Sequence, residues 1–178
     1  MLLMPQQDWQ WSYNDTYNLL SVSLGAEMEF LTPYHKKLLI PDAMAPTEFS
    51  MEQAKFYIGM VERLQNSLSL SDAALVQIAL NATAAHFMLK PQMPKSWYFE
   101  TSDVCVYCEV GKLFELLSLK KQRVLVLVVE NALQAAQVML LNNSCELTDG
   151  KSMSRFDTIK VMHNRLLPIK VSRHVIAA

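Results

Sequence analysis

Glycine is scarce in this chain: four in 178 residues, at positions 25, 59, 111 and 150. Isolated glycines cannot write a G-x-G-x-x-G fingerprint or a phosphate-cradling P-loop, because both need several at fixed spacing. No G-x-S-x-G elbow and no H-E-x-x-H zinc motif is present either. The histidines, His35, His86, His163 and His174, share no ligand spacing. Carboxylates are scattered over faces expected to be wet, so no acid–base pair emerges and an enzyme is unsupported. Three cysteines are an odd number and too sparse for a disulfide scaffold. The longest strongly apolar run, Val124 to Val129, is six residues, far short of the ~20 that span a bilayer. The opening M-L-L-M-P-Q-Q-D has neither a basic n-region nor an apolar h-region. A soluble cytoplasmic protein is the expectation.

What is present points to a packed fold. Apolar residues make up 51% and charged ones 19%, a globular balance. The length suits one domain, or one with two sub-regions, here read as 1–100 and 101–178. Net charge is only −1, so the whole chain gives no electrostatic argument for nucleic acid. The charge is uneven, however. Residues 1–34 carry Asp8, Asp15, Glu27 and Glu29 without a Lys or Arg, a local charge of −4. Residues 151–178 carry six basic side chains against Asp157, a local charge of +5.

Along the chain, Trp9, Trp11 and Tyr13 alternate with polar residues, the period of a half-buried strand. Tyr17 to Leu24 and Met28 to Leu31 continue it as a three-stranded meander, with Leu20, Val22 and Leu24 on one face and Ser21 and Ser23 on the other. Pro33, Pro41 and Pro46 leave room for one short helix around His35 to Leu39. Ser50 and Gln53 form an S-x-x-Q capping box before a helical pattern through Ala54, Tyr57, Ile58, Val61 and Leu64. A second helix is expected from about Asp72 to Leu89, with Leu75, Ile78, Ala79, Ala82, Ala85 and His86 inward.

After Trp97 the pattern turns extended: Trp97 to Phe99, Val104 to Glu109, Leu113 to Leu119, Arg123 to Glu130, Ala136 to Leu141 and Cys145 to Leu147. Their spacing predicts a strongly curved antiparallel sheet or partial barrel. The run V-L-V-L-V-V would be its doubly buried central strand. Ser154 to Leu167 reads as a short helix capped by Ser154 and Asp157, with a strand through Ile159 and Val161 as the alternative. Ile169 to Val175 closes as a strand. The apolar tail, Val175 to Ala178, reads as an ordinary frayed end, with a handle for an unfolding protease as the alternative. The fold class is therefore α+β: an N-terminal α/β region of meander plus two helices, then a twisted β-barrel-like region.

Cys105-Val106-Tyr107-Cys108 is a C-x-x-C in a strand-like context. There the two sulfurs would point to opposite faces, unlike a redox pair at a helix N-terminus. Zinc would need two further ligands, and only Cys145 and scattered histidines are on offer. Lys120, Lys121 and Arg123, with Arg165 and Lys170, keep a nucleic-acid module as an alternative function. No RNA- or DNA-binding motif accompanies them.

Leu89 to Trp97 reads L-K-P-Q-M-P-K-S-W. Pro91 and Pro94 forbid helix and force Lys90 and Met93 to be extended. A stiff polyproline-II connector would place Lys90 and Lys95 about 15 Å apart, on different edges of a three-fold ribbon. It is either a rigid linker or a preorganised contact surface.

The block from Asn81 to Trp97, N-A-T-A-A-H-F-M-L-K-P-Q-M-P-K-S-W, resembles the ZapC family of bacterial cell-division proteins. D-W-Q-W-S-Y at Asp8, P-D-A at Pro41, L-V-V-E at Leu127 and I-K-V-M-H-N-R-L-L-P at Ile159 resemble it collinearly. The resemblance implies a non-enzymatic cytoplasmic protein at the midcell division ring, without cofactor or metal. Its implied partner is FtsZ, the tubulin-like division GTPase, whose filaments it would bundle, alone or by self-association. It also implies Lys90, Lys95 and Val22 as contact residues, with Pro91, Pro94 and Trp97 shaping the loop. Nucleic-acid binding and membrane insertion are not implied. The stretch from Ser102 to Lys121 departs from the family pattern.

Overall fold

The aromatic alternation at the start of the chain folds as read. The structure, a computed structural model describing residues 2–169, divides into two compact units. One comprises Met1–Glu62 and Ser71–Pro91, the other Arg63–Leu70 and Gln92–Ala178. In the first unit, β1 (Gln10–Asn14), β2 (Leu19–Ser23), β3 (Glu29–Leu31) and β4 (Thr47–Glu48) form an antiparallel sheet in the order β3-β2-β1-β4. Trp11 and Val22 are register partners across the first hairpin, and both are fully buried. Gly25 makes the second turn at φ +75°, where a Cβ would collide with the Asp8 carboxylate. Ser21, on the face opposite Leu20 and Val22, is buried as well. Its hydroxyl meets Ser12 Oγ at 3.0 Å, so the polar face is covered without an unmet hydrogen bond.

The segment around His35 to Leu39 forms only a 3-10 turn, Lys36–Leu38, and a second one follows at Pro41–Met44. Helix α1 (Met51–Ser67) starts at the predicted capping box. Ser50 N–H donates to Gln53 Oε1 at 2.8 Å, and Gln53 N–H donates to Ser50 Oγ at 3.1 Å. The same Gln53 oxygen accepts from Trp11 Nε1–H at 2.8 Å, so one amide ends the helix and anchors β1. Tyr57, Val61 and Leu64 are buried as expected, together with Met60, while Ala54 and Ile58 are half-buried. Burial pushes the Tyr57 phenol up to about 12, and its hydroxyl donates to Leu3 O at 2.8 Å.

Helix α2 (Asp72–Met88) begins at Ser71, whose Oγ accepts from Ala74 N–H at 3.2 Å. One inner face was expected, yet every residue from Ile78 to Ala85 is buried, Leu80, Asn81, Thr83 and Ala84 included. Small side chains allow close approach on all sides. Thr83 remains compatible because its hydroxyl turns back to Ala79 O at 2.7 Å. His86 is half-buried and stacks on Phe56 at 4.4 Å.

In the second unit, β5 (Leu113–Leu117), β6 (Arg123–Asn131), β7 (Ala135–Leu140) and β10 (Thr158–Met162) form an antiparallel sheet in the order β10-β7-β6-β5. β8 (Ser144–Thr148) and β9 (Lys151–Ser154) form a separate hairpin. Val124, Val126 and Val128 pack into a core with Phe114, Leu116, Val138, Ile159 and Val161. Leu125, Leu127 and Val129 are buried on the other face, so β6 is the doubly buried central strand. Among the described residues the strands do not close into a barrel, for β5 and β10 remain separate edges.

Three extended or helical expectations are corrected. Val104 to Glu109 is irregular, because side chains capture its backbone: Ser102 Oγ accepts from Val104 N–H, Lys112 Nζ donates to Tyr107 O and Asn131 Nδ2 donates to Cys108 O. Cys105 is exposed and Cys108 buried, which pushes the Cys108 thiol up to about 11. Trp97 to Phe99 is not a strand, since Ser96–Tyr98 forms a 3-10 turn. Ser154 to Leu167 forms no α-helix: the alternative strand through Ile159 and Val161 forms as β10 and is followed by a 3-10 turn, His163–Arg165. Asp157 Oδ2 accepts from Ser154 N–H at 2.9 Å, but Phe156 lies at φ 72°, which no α-helix tolerates. Beyond Ile169, the expected last strand and the tail from Val175 lie outside the described residues.

Gln53→Leu leaves the buried Trp11 N–H and the Ser50 N–H without their acceptor. It is expected to cost about 2 kcal/mol of stability in urea unfolding, with the m-value unchanged.

Candidate protein-binding surface

An edge strand presents backbone groups that need partners. On one side β10 pairs with β7 in register Lys160 to Gln137. Its other side is met by the proline-bearing segment. Lys95 N–H donates to Lys160 O at 2.8 Å, and Met162 N–H donates to Ser96 Oγ at 2.8 Å. Gln92 Nε2 donates to Thr158 Oγ1 at 3.3 Å, and Gln137 Nε2 donates to Gln92 Oε1 at 2.9 Å. Arg165 Nε donates to Ser96 O and Phe99 O, both at 3.2 Å, and holds the far end.

This pinning sets the exposure. Ser96 and Tyr98 are buried, and Gln92 and Pro94 half-buried, while Met93, Lys95 and Trp97 face solvent. The period is two, that of a strand, and not the three of a free polyproline ribbon. Lys95, at φ −126° and ψ 48°, leaves polyproline geometry altogether. Met93 is 79% and Trp97 60% exposed, an unusual pair of large apolar side chains beside one ammonium. The Tyr98 ring lies 5.5 Å from that of Trp97, and a hydrogen bond from the Lys151 side chain holds the Tyr98 phenol below its ordinary pKa.

Lys90 lies in the first unit and is exposed, as is Pro91. Lys90 N–H donates to Leu38 O at 2.8 Å, and Ile40 N–H donates to Met88 O at 2.9 Å. Leu39 and Leu89 pair as a bridge between these bonds. Val22 is fully buried in β2 and presents no surface. Trp97 offers its ring to solvent.

The rival basic cluster is neutralised. Lys120 pairs with Asp149 and Glu146, Lys121 with Glu100, and Arg123 with the buried Glu115 at 3.1 Å. Arg165 is committed to backbone carbonyls, and Lys170 lies outside the described residues. Among the described residues no group of three His, Cys, Asp or Glu is placed to hold a metal, and no helix is long and apolar enough to cross a membrane.

Two family profiles, described as the N-terminal and C-terminal parts of "Cell-division protein ZapC", match residues 2–90 and 91–172. The chain belongs to the ZapC family of cell-division proteins. It is 63% identical to the "Cell division protein ZapC" of Shewanella oneidensis over the full length of both chains. The protein of that name from Shewanella frigidimarina is 64% identical, also over the full length of both. That of Ferrimonas balearica is 40% identical over 98% of this chain and 97% of its own. The two profiles meet next to Pro91, inside the loop that carries Lys90 and Lys95.

Sequence reasoning found the loop and its lysines but passed over Met93, Gln92 and Ser96. The signal was there: in P-Q-M-P-K-S-W, hydrogen-bonding Gln92 and Ser96 alternate with Met93, Lys95 and Trp97. Ser96→Ala removes the acceptor of the Met162 amide. Amide exchange at Met162 is expected to accelerate about tenfold, while exchange in the centre of β6 stays unchanged.

Proposed function

We propose that this chain is a non-enzymatic cytoplasmic protein of the division ring. In this reading it binds FtsZ polymers and favours their lateral association. Family membership supports the reading, and the observation that carries it is the outward row Met93, Lys95 and Trp97 on a hydrogen-bonded backbone. An aromatic anchor, an adaptable thioether and a charge make a compact contact. The backbone beneath them is already ordered, so little entropy is lost on binding.

Lys90 and Lys95 contribute the charge. FtsZ-type polymers are acidic, and their like charges oppose bundling. Lysines lower that repulsion, in a manner that salt screens. Val22 acts indirectly, by holding the first sheet in shape. Bundling also requires valency, met either by two contact surfaces on one chain or by self-association.

Lys90→Glu combined with Lys95→Glu is expected to lower co-sedimentation with GTP-polymerised FtsZ at least tenfold at low salt. Far-UV circular dichroism should stay as in the wild type. Trp97→Ala should weaken pelleting by a similar factor, but with little dependence on salt. Undiminished pelleting of both variants would remove the loop from the contact.

A further inference from the structure

The cations of this protein fall into two groups. Arg63, Lys120, Lys121 and Arg123 are ion-paired, Lys112 and Lys151 lie against aromatic rings, and Arg155 and Arg165 donate to backbone carbonyls. Among the described residues, the ammonium groups of Lys36, Lys37, Lys55, Lys90, Lys95 and Lys160 make no side-chain hydrogen bond or ion pair. Five of these six gather on segments tied by backbone hydrogen bonds to the proline-bearing loop.

The ties are specific. In the first unit, Lys36–Leu38 is a 3-10 turn, and the Leu38 carbonyl at its end accepts the Lys90 N–H at 2.8 Å. Leu39, 2% exposed, bridges Leu89 directly beside that bond. Lys36, Lys37 and Lys90 are therefore presented together, all exposed, from two fixed stretches of backbone. In the second unit, Lys95 N–H is bonded to the carbonyl of Lys160, which is half-exposed on the edge strand β10. Each loop lysine is thus bonded through its backbone to a segment that carries further lysine without an ion pair. Clustering like charges without counter-ions raises the local potential and is unfavourable for the isolated fold. An acidic partner relieves that cost on binding.

We propose that Lys36 and Lys37 extend the contact made by Lys90 on the first unit, and that Lys160 extends the contact made by Lys95 on the second. The ligand class is an acidic protein surface with an apolar spot. The acidic side chains answer the lysines, and the apolar spot takes Met93 and Trp97. This inference rests on the reading of the chain as an FtsZ-binding protein and adds residues outside the loop to that contact.

The test is co-sedimentation with GTP-polymerised FtsZ over a series of salt concentrations. The full-length chain is compared with Lys36→Glu/Lys37→Glu, with Lys160→Glu, with Lys90→Glu/Lys95→Glu and with the control Lys55→Glu. Both new variants are expected to weaken binding about fivefold to tenfold at low salt, with the difference shrinking as salt rises. Lys55→Glu should bind within about twofold of the wild type. The milder Lys36→Ala/Lys37→Ala gives the same ordering should charge reversal disturb folding. Wild-type affinity in the Lys36/Lys37 and Lys160 variants, with loss only in Lys90→Glu/Lys95→Glu, overturns the inference and leaves FtsZ binding standing. A wild-type chain that fails to pellet overturns both.

Discussion

A sheet must do something with its edges, and that constraint produces the surface described above. β6 and β7 satisfy each other and their neighbours, whereas β5 and β10 each present one row of backbone groups to whatever lies outside. β5 takes Leu167, through a reciprocal pair of hydrogen bonds with Glu115 at 2.9 Å. β10 takes the segment at Gln92 to Ser96, where Pro94 removes one backbone donor that the segment would otherwise have to satisfy. Closing the edge fixes the segment, and fixing it decides which residues point outward. The outward row is thus a by-product of protecting the sheet.

The same logic separates what could be read from the sequence from what could not. The Ser50–Gln53 cap was legible because both of its bonds close within three residues. The doubly buried run of β6 was legible because six apolar residues in a row have few other uses. Ser154 and Asp157 misled because an S-x-x-D pair closes a tight turn as readily as it caps a helix. Only the left-handed Phe156 between them decides, and that conformation follows from tertiary context. Helix α2 misled in another way, since a burial that runs all round a helix depends on neighbours distant in sequence. At the site, Lys90 and Lys95 were visible, but their electrostatic distinction was not. Lys120 and Lys121 look as basic on paper, and carboxylates 21 to 29 residues away in the chain quench them.

Burial and exposure divide the labour among the residues that the family resemblance had grouped. Val22 is core, paired with Trp11 and Phe30 across two neighbouring strands. Lys90 and Lys95 are surface, each held by its own backbone N–H to a different segment. A substitution at Val22 therefore alters packing, and one at either lysine alters charge. Loss of activity in each would have a different physical origin even if the cellular outcome were the same.

The three tryptophans carry a practical consequence. Trp9 and Trp11 are sealed in the first unit at 2% and 0% exposure, while Trp97 is 60% exposed on the outward row. Their emission should separate into a blue, quencher-resistant component and a red component open to acrylamide. The red one belongs to the single ring that a partner would cover. For the proposed contact, that ring is an optical reporter of docking that needs no label.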